Sequence, residues 1–400
     1  MNYILFDDNS RDGLLPLTFT RPVAEIRIGI FTIREKWEKH LKSSCSYITQ
    51  DYLSGKYKLV ADQDNILING SVLPCPDLVD EITKLEAGQA LVSGDVLIAV
   101  RLTGSEVESF DHNDLNKYKI SETKASGCSQ ISALWQIFRD NGEAIASDYA
   151  LATAGRRSAE LSSTVNIIGD GELNKNIFVE EGAFAEYVTL NVTSGPVYIG
   201  RGAEIMEGSV IRGPFALCDH STVKMSAKIY GPTTIGSYSK VGGEINNCVI
   251  FGYSNKAHDG FLGNSVIGEW CNIGADSNNS NLKNNYADVR LWNYSTGKFD
   301  DTGLLFCGLI MGDHSKCGIN TMFNTGTVAG VCVNLFGQGF PRNFIPDFSW
   351  GGAHGFIVHK PEKAFETASK VMERRSLSLE DTDKDILAKI FELTEKYRKY

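Results

Sequence analysis

Eight apolar residues recur at a spacing of six without interruption: Ile199, Ile205, Ile211, Leu217, Val223, Ile229, Ile235 and Val241. Neither the turn of a helix nor the two-residue alternation of a strand produces that period, so the chain must return to the same interior after each short segment. Gly200, Gly236 and Gly242 directly follow their apolar residues, while Ala203, Ser209, Ser221, Ala227, Thr233 and Ser239 stand four positions after several of them. One bulky inward residue and one small one per side, with glycine where the backbone turns, would pack a solenoid coil. The pattern resumes with Ile267-Gly268, Ile273-Gly274, Met311-Gly312, Cys317-Gly318, Phe323, Ala329 and Leu335.

This spacing resembles the hexapeptide rule of left-handed parallel β-helices, in which three six-residue sides make one triangular coil. The handedness comes from the resemblance, because right-handed crossovers are the general rule. The solenoid is expected from about Val165 to about Gly339, as the core of a β-helix domain over 160–345. Its regularity fails at Tyr253 to Gly263 and at Ser277 to Leu309, where insertions projecting from one face are expected.

Residues 1–155 read as α/β, with strands at Tyr3 to Phe6, Asn65 to Ile68 and Val96 to Arg101. Helices are expected near Ile30 to Leu41, Leu78 to Glu86 and Ile131 to Asn141. The polar, glycine-bearing stretch from Ala152 to Ser158 is the expected domain boundary. Residues 346–400 form a C-terminal arm with helical apolar patterns at Phe365, Ala368, Val371 and Met372, then Ile386, Leu387, Ile390, Phe391 and Leu393. A tail of this kind is expected to pack or to make an oligomer contact. The overall fold class is therefore an α/β N-terminal domain, a left-handed parallel β-helix of hexapeptide repeats and a C-terminal helical tail.

The chain has 400 residues and a net charge of -10, with no lysine or arginine run. A nucleic-acid partner is not expected, whereas small anionic ligands need only a local cation cluster. Met1 to Asp8 carries no basic region and meets acid after four apolar residues, so no signal peptide is read. No apolar run approaches the roughly eighteen residues of a membrane helix, and a soluble, cytoplasmic protein is expected. Nine cysteines lie between Cys45 and Cys332 without a C-x-x-C pair, which favours buried reduced thiols over disulfides or zinc.

Asn255-Lys256-Ala257-His258-Asp259-Gly260-Phe261-Leu262-Gly263, followed by Ile267-Gly268-Glu269-Trp270-Cys271-Asn272-Ile273-Gly274-Ala275, puts a histidine just before the coil resumes. The block resembles the acetyltransferase domain of bifunctional N-acetylglucosamine-1-phosphate uridyltransferases, bacterial and especially archaeal. In that family a histidine precedes an aromatic, a leucine and a glycine, then I-G-x-x-x-N-I-G-A. Met311-Gly312-Asp313-His314-Ser315-Lys316-Cys317-Gly318-Ile319-Asn320 is similar to a further archaeal block, I-G-D-x-x-K-x-G-I-N.

The resemblance implies His258 as general base, with Phe261, Asn272 and Asn281 on the sugar and Gly274, Ala275 and Gly318 on the acetyl-CoA side. An imidazole titrating near neutrality suits removal of a proton from an amine that attacks a thioester. Bacterial members carry a lysine pair after a stretch like Val241-Gly242-Gly243-Glu244. Here Asn246-Asn247 follow, so Arg212, Lys240 or Lys256 would have to take the sugar phosphate, with Glu244 beside the substrate.

At the N-terminus, Leu5 to Arg11 and Leu15-Pro16-Leu17-Thr18-Phe19-Thr20-Arg21-Pro22 resemble the opening of sugar nucleotidyltransferases. Two departures stand out. Asp7-Asp8-Asn9-Ser10 replaces the glycine-rich loop, and Val23 stands where the family has lysine. Arg11 matches the family's arginine, and Arg21, Arg27 and Arg34 are near enough in sequence to supply further cations for a nucleotide. Asn69-Gly70-Ser71 resembles the family's N-G-D, with serine in place of the aspartate that holds Mg²⁺, which would leave Asp7, Asp8, Asp77 or Asp95 to serve.

These features resemble an alternative bacterial group of two-domain uridyltransferase/acetyltransferase-like proteins. They imply acetyl transfer from acetyl-CoA to an amino-sugar phosphate (glucosamine 1-phosphate), uridylyl transfer from UTP with Mg²⁺ if the first domain is active, and a homotrimer. Two alternatives stay open. The first domain could bind a sugar nucleotide without reacting, or His220, His258 and His314 could hold zinc as in γ-carbonic-anhydrase-like solenoids.

Overall fold

The computed structural model describes residues 1–126, 129–171 and 176–400. The chain forms two compact units, Met1–Ile26 with Phe31–Ala133, and Arg27–Ile30 with Leu134–Tyr400.

The first unit is built on six strands, β1 (Asn2–Phe6), β2 (Cys45–Ile48), β3 (Asp64–Asn69), β4 (Gln89–Ser93), β5 (Val96–Thr103) and β6 (Lys119–Glu122), in the order β2-β1-β3-β5-β4-β6. β1 is parallel to both β2 and β3, while β5 runs antiparallel to β3 and β4. Ile66, Leu67 and Ile68 are all fully buried, as a strand covered on both faces requires. The helix Ile33–Leu41 begins in a capping box, in which the Thr32 hydroxyl accepts the Glu35 N–H and the Glu35 carboxylate accepts the Thr32 N–H. It buries Ile33 and Trp37, and the Trp37 indole donates to the Val72 carbonyl at 2.9 Å. This packing leaves the carboxyl ends of the parallel strands β1 and β3, with Asp7, Asp8 and Asn69, at the edge where open α/β sheets bind ligands.

In the second unit the solenoid is a left-handed parallel β-helix, as the resemblance to hexapeptide-repeat proteins implies. Its parallel strands run in register from Asn166–Ile168 to Ser349–Gly352. None of the eight period-six residues is more than 2 % exposed. They fall into inward columns, one of which reads Ile205, Val223, Val241, Lys256, Ile273, Cys317 and Leu335. Each fully buried aliphatic side chain in such a column contributes on the order of 1.5–3 kcal/mol. The neighbouring outward column on the same face is Glu204, Thr222, Lys240, Asn255, Asn272, Lys316 and Asn334.

One corner of the prism is turned by residues in the left-handed conformation: Gly202, His220, Tyr238, Tyr253, Trp270, His314, Cys332 and Phe348. They stand eighteen apart up to Tyr238, then fifteen to Tyr253 and seventeen to Trp270. The first irregularity is thus a shortened coil, not the insertion expected from the sequence. The second is a true insertion. It carries the antiparallel hairpin Arg290–Asn293/Lys298–Asp301, whose Trp292 stacks on Phe344 at 4.2 Å.

Two helices, Leu134–Arg139 and Asn141–Thr153, also belong to this unit, ahead of the polar stretch at 152–158. The Asn141 amide oxygen accepts the Gly29 N–H (2.8 Å) and the Thr234 hydroxyl (3.1 Å), and Asp148 accepts the Ile30 N–H (2.8 Å). At the C-terminus the helices Pro361–Glu373 and Asp381–Leu393 bury Ala364, Ala368 and Met372, and Ile386, Leu387 and Ile390.

The eight described cysteines are free thiols, six of them buried; Cys128 lies outside the described residues. Among the described residues no helix is long and apolar enough to cross a membrane.

Candidate active site

His258 stands on the corner that follows the shortened coil, between the strands Asn255–Lys256 and Phe261–Glu269. The segment passes close to the next coil. A Cβ at Gly260, whose φ is +116°, would lie 2.2 Å from the Ser277 carbonyl oxygen, so glycine is required there. From inside the prism, Lys256 holds the turn. It is 2 % exposed, and its ammonium donates to the carbonyls of His258 and Asp259. Burial pushes the Lys256 pKa down to about 8. The backbone of the turn is pinned from within while the imidazole remains exposed.

The imidazole opens on a cleft of about 750 Å³. Three neighbours of the outward column, Lys240, Asn255 and Asn272, line it, as do Gly274 and Ala275. Tyr253 and Trp270 form one wall, and the helix Pro361–Glu373 with the residues just after it supplies Thr367, Val371, Arg374 and Arg375. Among the described residues that line the cleft there is no aspartate or glutamate. The wall belongs to a continuous stack of rings along the left-handed corner. His220 to Tyr238 is 4.9 Å, Tyr238 to Tyr253 5.0 Å, Tyr253 to Trp270 4.2 Å and Trp270 to His314 6.4 Å between centroids. Lys316 also lines the cleft, but its ammonium donates to the His314 carbonyl at 2.9 Å.

Of the residues singled out in the sequence, the structure brings His258, Asn272, Lys240, Gly274 and Ala275 to one cleft. Lys256 lies beneath it, turned inward with its ammonium on backbone carbonyls, away from any phosphate in the cleft. Phe261, Asn281 and Glu244 gather on the next face. A Cβ on Gly263 would meet both the Phe261 ring (2.5 Å) and the Asn281 amide (2.7 Å), and Glu244 pairs in register with Phe261. Arg212 is exposed at the end of Val210–Arg212 and does not line the cleft. Gly318 lies against Gly274: a Cβ on Gly274 would come within 2.4 Å of the Gly318 carbonyl group. His220 and His314 stack on one corner while His258 stands on another. Among the described residues no group of three His, Cys, Asp or Glu is placed to hold a metal.

Tyr253, Trp270, Arg374 and Arg375 escaped the sequence reading. A period of fifteen to eighteen between large residues at one corner signals the first two, and an arginine pair at a helix end signals the others.

The first unit has its own cleft, about 440 Å³, lined among others by Asp8, Asn69, Asp95, His112 and Gln130. Asp8 accepts hydrogen bonds from the Asn69 amide (2.8 Å) and the Gln130 amide (2.9 Å). Asp7 points the other way. It is buried, accepts the Val23 N–H (2.8 Å) and the Thr49 hydroxyl (2.6 Å), and burial raises its pKa to about 6. The Ser71 hydroxyl donates to Asn69, and the Gly70 N–H donates to the Phe6 carbonyl.

The four arginines expected to meet a nucleotide are not on this cleft, and Arg34 pairs instead with Glu25 and Glu38. Arg11 is buried and donates to the Thr18 carbonyl (2.9 Å) and the Tyr52 hydroxyl (2.7 Å), and Arg21 is 5 % exposed. Arg27 belongs to the second unit, where it donates to the Phe251 carbonyl at 3.1 Å. Among the described residues that line this cleft there is no lysine or arginine.

Residues 3–157 match the model of a family described as sugar nucleotidyl transferase. No curated protein matches the chain. Among solved structures, the chain is similar to an Arabidopsis UDP-N-acetylglucosamine acyltransferase at 14 % identity, over 60 % of this chain and 82 % of that one, with a TM-score of 0.23.

Proposed function

We propose that this protein is a transferase of sugar-nucleotide synthesis whose β-helix moves an acetyl group from acetyl-CoA to the amine of an amino-sugar phosphate, glucosamine 1-phosphate. The observation that carries this reading is an exposed imidazole, His258, on an acid-free cleft shared with Asn272, Gly274 and Ala275. The neutral imidazole accepts a proton from the amine as nitrogen attacks the thioester carbonyl. The C–N bond forms, the C–S bond breaks, and the proton passes to the departing sulfur. The Asn272 amide, standing beside Asn255 in the outward column, can hold a sugar hydroxyl without adding charge to the cleft. Assembly as a homotrimer belongs to this proposal.

The family match over residues 3–157 supports a nucleotidyltransferase role for the first domain, 1–155, and UTP as its donor belongs to this proposal. Mg²⁺ would fall to Asp8 and Asp95, the two carboxylates on that cleft, where its charge would offset that of the phosphates. One observation favours a second reading, in which this domain binds a sugar nucleotide without reacting: its cleft is lined by no described lysine or arginine. Release of pyrophosphate from UTP with N-acetylglucosamine 1-phosphate and Mg²⁺ separates the two.

The test of the main reading is His258→Ala. General-base catalysis is worth about 10²–10⁴-fold, so acetyl transfer should drop by at least about a hundredfold while thermal unfolding stays unchanged, because the side chain is exposed. Turnover equal to that of the wild type refutes the assignment.

A further inference from the structure

The cleft beside His258 gathers positive charge, and among the described residues that line it there is no aspartate or glutamate. Lys240 comes from the outward column of the β-helix, and Arg374 and Arg375 come from the end of the helix Pro361–Glu373. Among the described residues, the side chains of these three have no hydrogen-bond or ion-pair partner. The lysine registers the crowding. Its pKa is lowered, by burial first and then by Arg375, Lys224 and Arg374, while Glu204, two rungs back in the same column, offsets them as the smallest influence. In a chain of net charge -10, three cations without a described partner around one cleft repel one another, and a bound anion would offset that repulsion. A phosphate does so, because guanidinium groups present paired N–H donors that match its oxygens.

We infer that Arg374 and Arg375 of the C-terminal arm, together with Lys240, form a phosphate-binding subsite at the His258 cleft. The inference deepens the proposed acetyl transfer and rests on it for the identity of the ligand. Two sources carry the required chemistry, the phosphates of coenzyme A and the ester phosphate of the amino sugar. The arm thereby becomes part of the site, supplying two of its three cations.

Calorimetric titration of the full chain with coenzyme A, 3′-dephospho-coenzyme A, glucosamine 1-phosphate and inorganic pyrophosphate tests this. In Arg374→Gln/Arg375→Gln the affinity for the seated phosphate should fall at least about tenfold, and wild-type binding should weaken as salt screens it. A loss for coenzyme A but not its dephospho form seats the 3′-phosphate there. An equal loss for both seats the diphosphate, and a loss for glucosamine 1-phosphate alone seats the sugar ester. Lys240→Gln, read the same way, guards against a local disturbance of the arm. Binding within twofold of wild type for all four probes in both variants, or no binding by the wild type, overturns the subsite. If pyrophosphate binding is lost in the variants while neither coenzyme A nor the sugar phosphate binds at all, the subsite stands and the acetyl-transfer reading fails.

Discussion

Lys256→Met is the most revealing perturbation in the β-helix, because it converts a charged member of an inward column into the apolar residue that the column otherwise carries. The wild-type ammonium sits between Val241 and Ile273 in that column, with the carbonyls of His258 and Asp259 as its partners. Its pKa falls from 10.5 to about 8, burial being the largest cause, with Asp259, Cys317 and Asp276 acting in the opposite direction. At 1.36 kcal/mol per pH unit, that displacement corresponds to about 3 kcal/mol.

The sign follows from proton counting. Between about pH 8 and 10.5 the unfolded chain keeps the proton that the folded chain has lost, so this lysine alone makes stability rise with pH across that window and adds nothing further above it. The buried thiols act oppositely. Burial raises Cys248, Cys271 and Cys307 from 9.0 to about 12, and stability falls as the unfolded thiols ionise above pH 9. The informative quantity is therefore the difference between wild type and Lys256→Met in urea unfolding, measured from pH 7 to 10.5, in which the thiols cancel. The difference should shift by about 3 kcal/mol in favour of the wild type as pH rises, with Lys256→Met at least as stable at pH 7. A pH-independent difference would refute the assignment of that pKa to a buried ammonium.

Two glycines implied by the resemblance make a second contrast. A Cβ on Gly274 would come within 2.4 Å of backbone atoms of Gly318, whereas one on Gly318 would meet nothing nearer than 3.6 Å. Gly274→Ala should lose at least about 2 kcal/mol through overpacking and Gly318→Ala less than about 0.5 kcal/mol, as read by urea denaturation; equal effects would show that the close approach is not what requires glycine. In the first unit, Asp7 is raised from 3.8 to about 6, so its contribution to stability is complete below pH 3.8 and is lost as pH rises through 6. Asp7→Asn should flatten that loss of about 3 kcal/mol between pH 4 and 7, which hydrogen exchange at β1 and β3 can follow.

The prism was legible because each side makes one demand, an apolar residue every sixth position, and the chain meets it eight times in succession. What carries the site was harder to read because it departs from that demand. Lys256 fills an inward slot with a charge, and its coil is three residues shorter than the eighteen that precede it, so a count of apolar matches registers only a break. The stacked corner was hidden for a related reason. Left-handed backbone is ordinarily read from glycine, and here His220, Tyr238, Tyr253 and Trp270 adopt it, which is tolerable only because the ladder of neighbouring coils holds each turn.

Arg374 and Arg375 lie more than a hundred residues beyond His258, and sequence spacing alone fixes no register between a helix and a prism face. In the first unit the opposite error arises. Arg11 matches a family pattern by position and Arg21 and Asp7 stand beside positions where the chain departs from it, yet their side chains are buried away from the cleft, Arg11 and Asp7 on hydrogen-bond partners within the unit. Position in a motif names a backbone location, and the direction of the side chain is set by what that backbone is packed against. The two clefts follow from this difference. Where the packing turns cations outward with no described acid to meet them, as at Lys240 and the arginine pair, they stay open to an anionic ligand; where it turns them inward, as at Arg11, the protein supplies the partner.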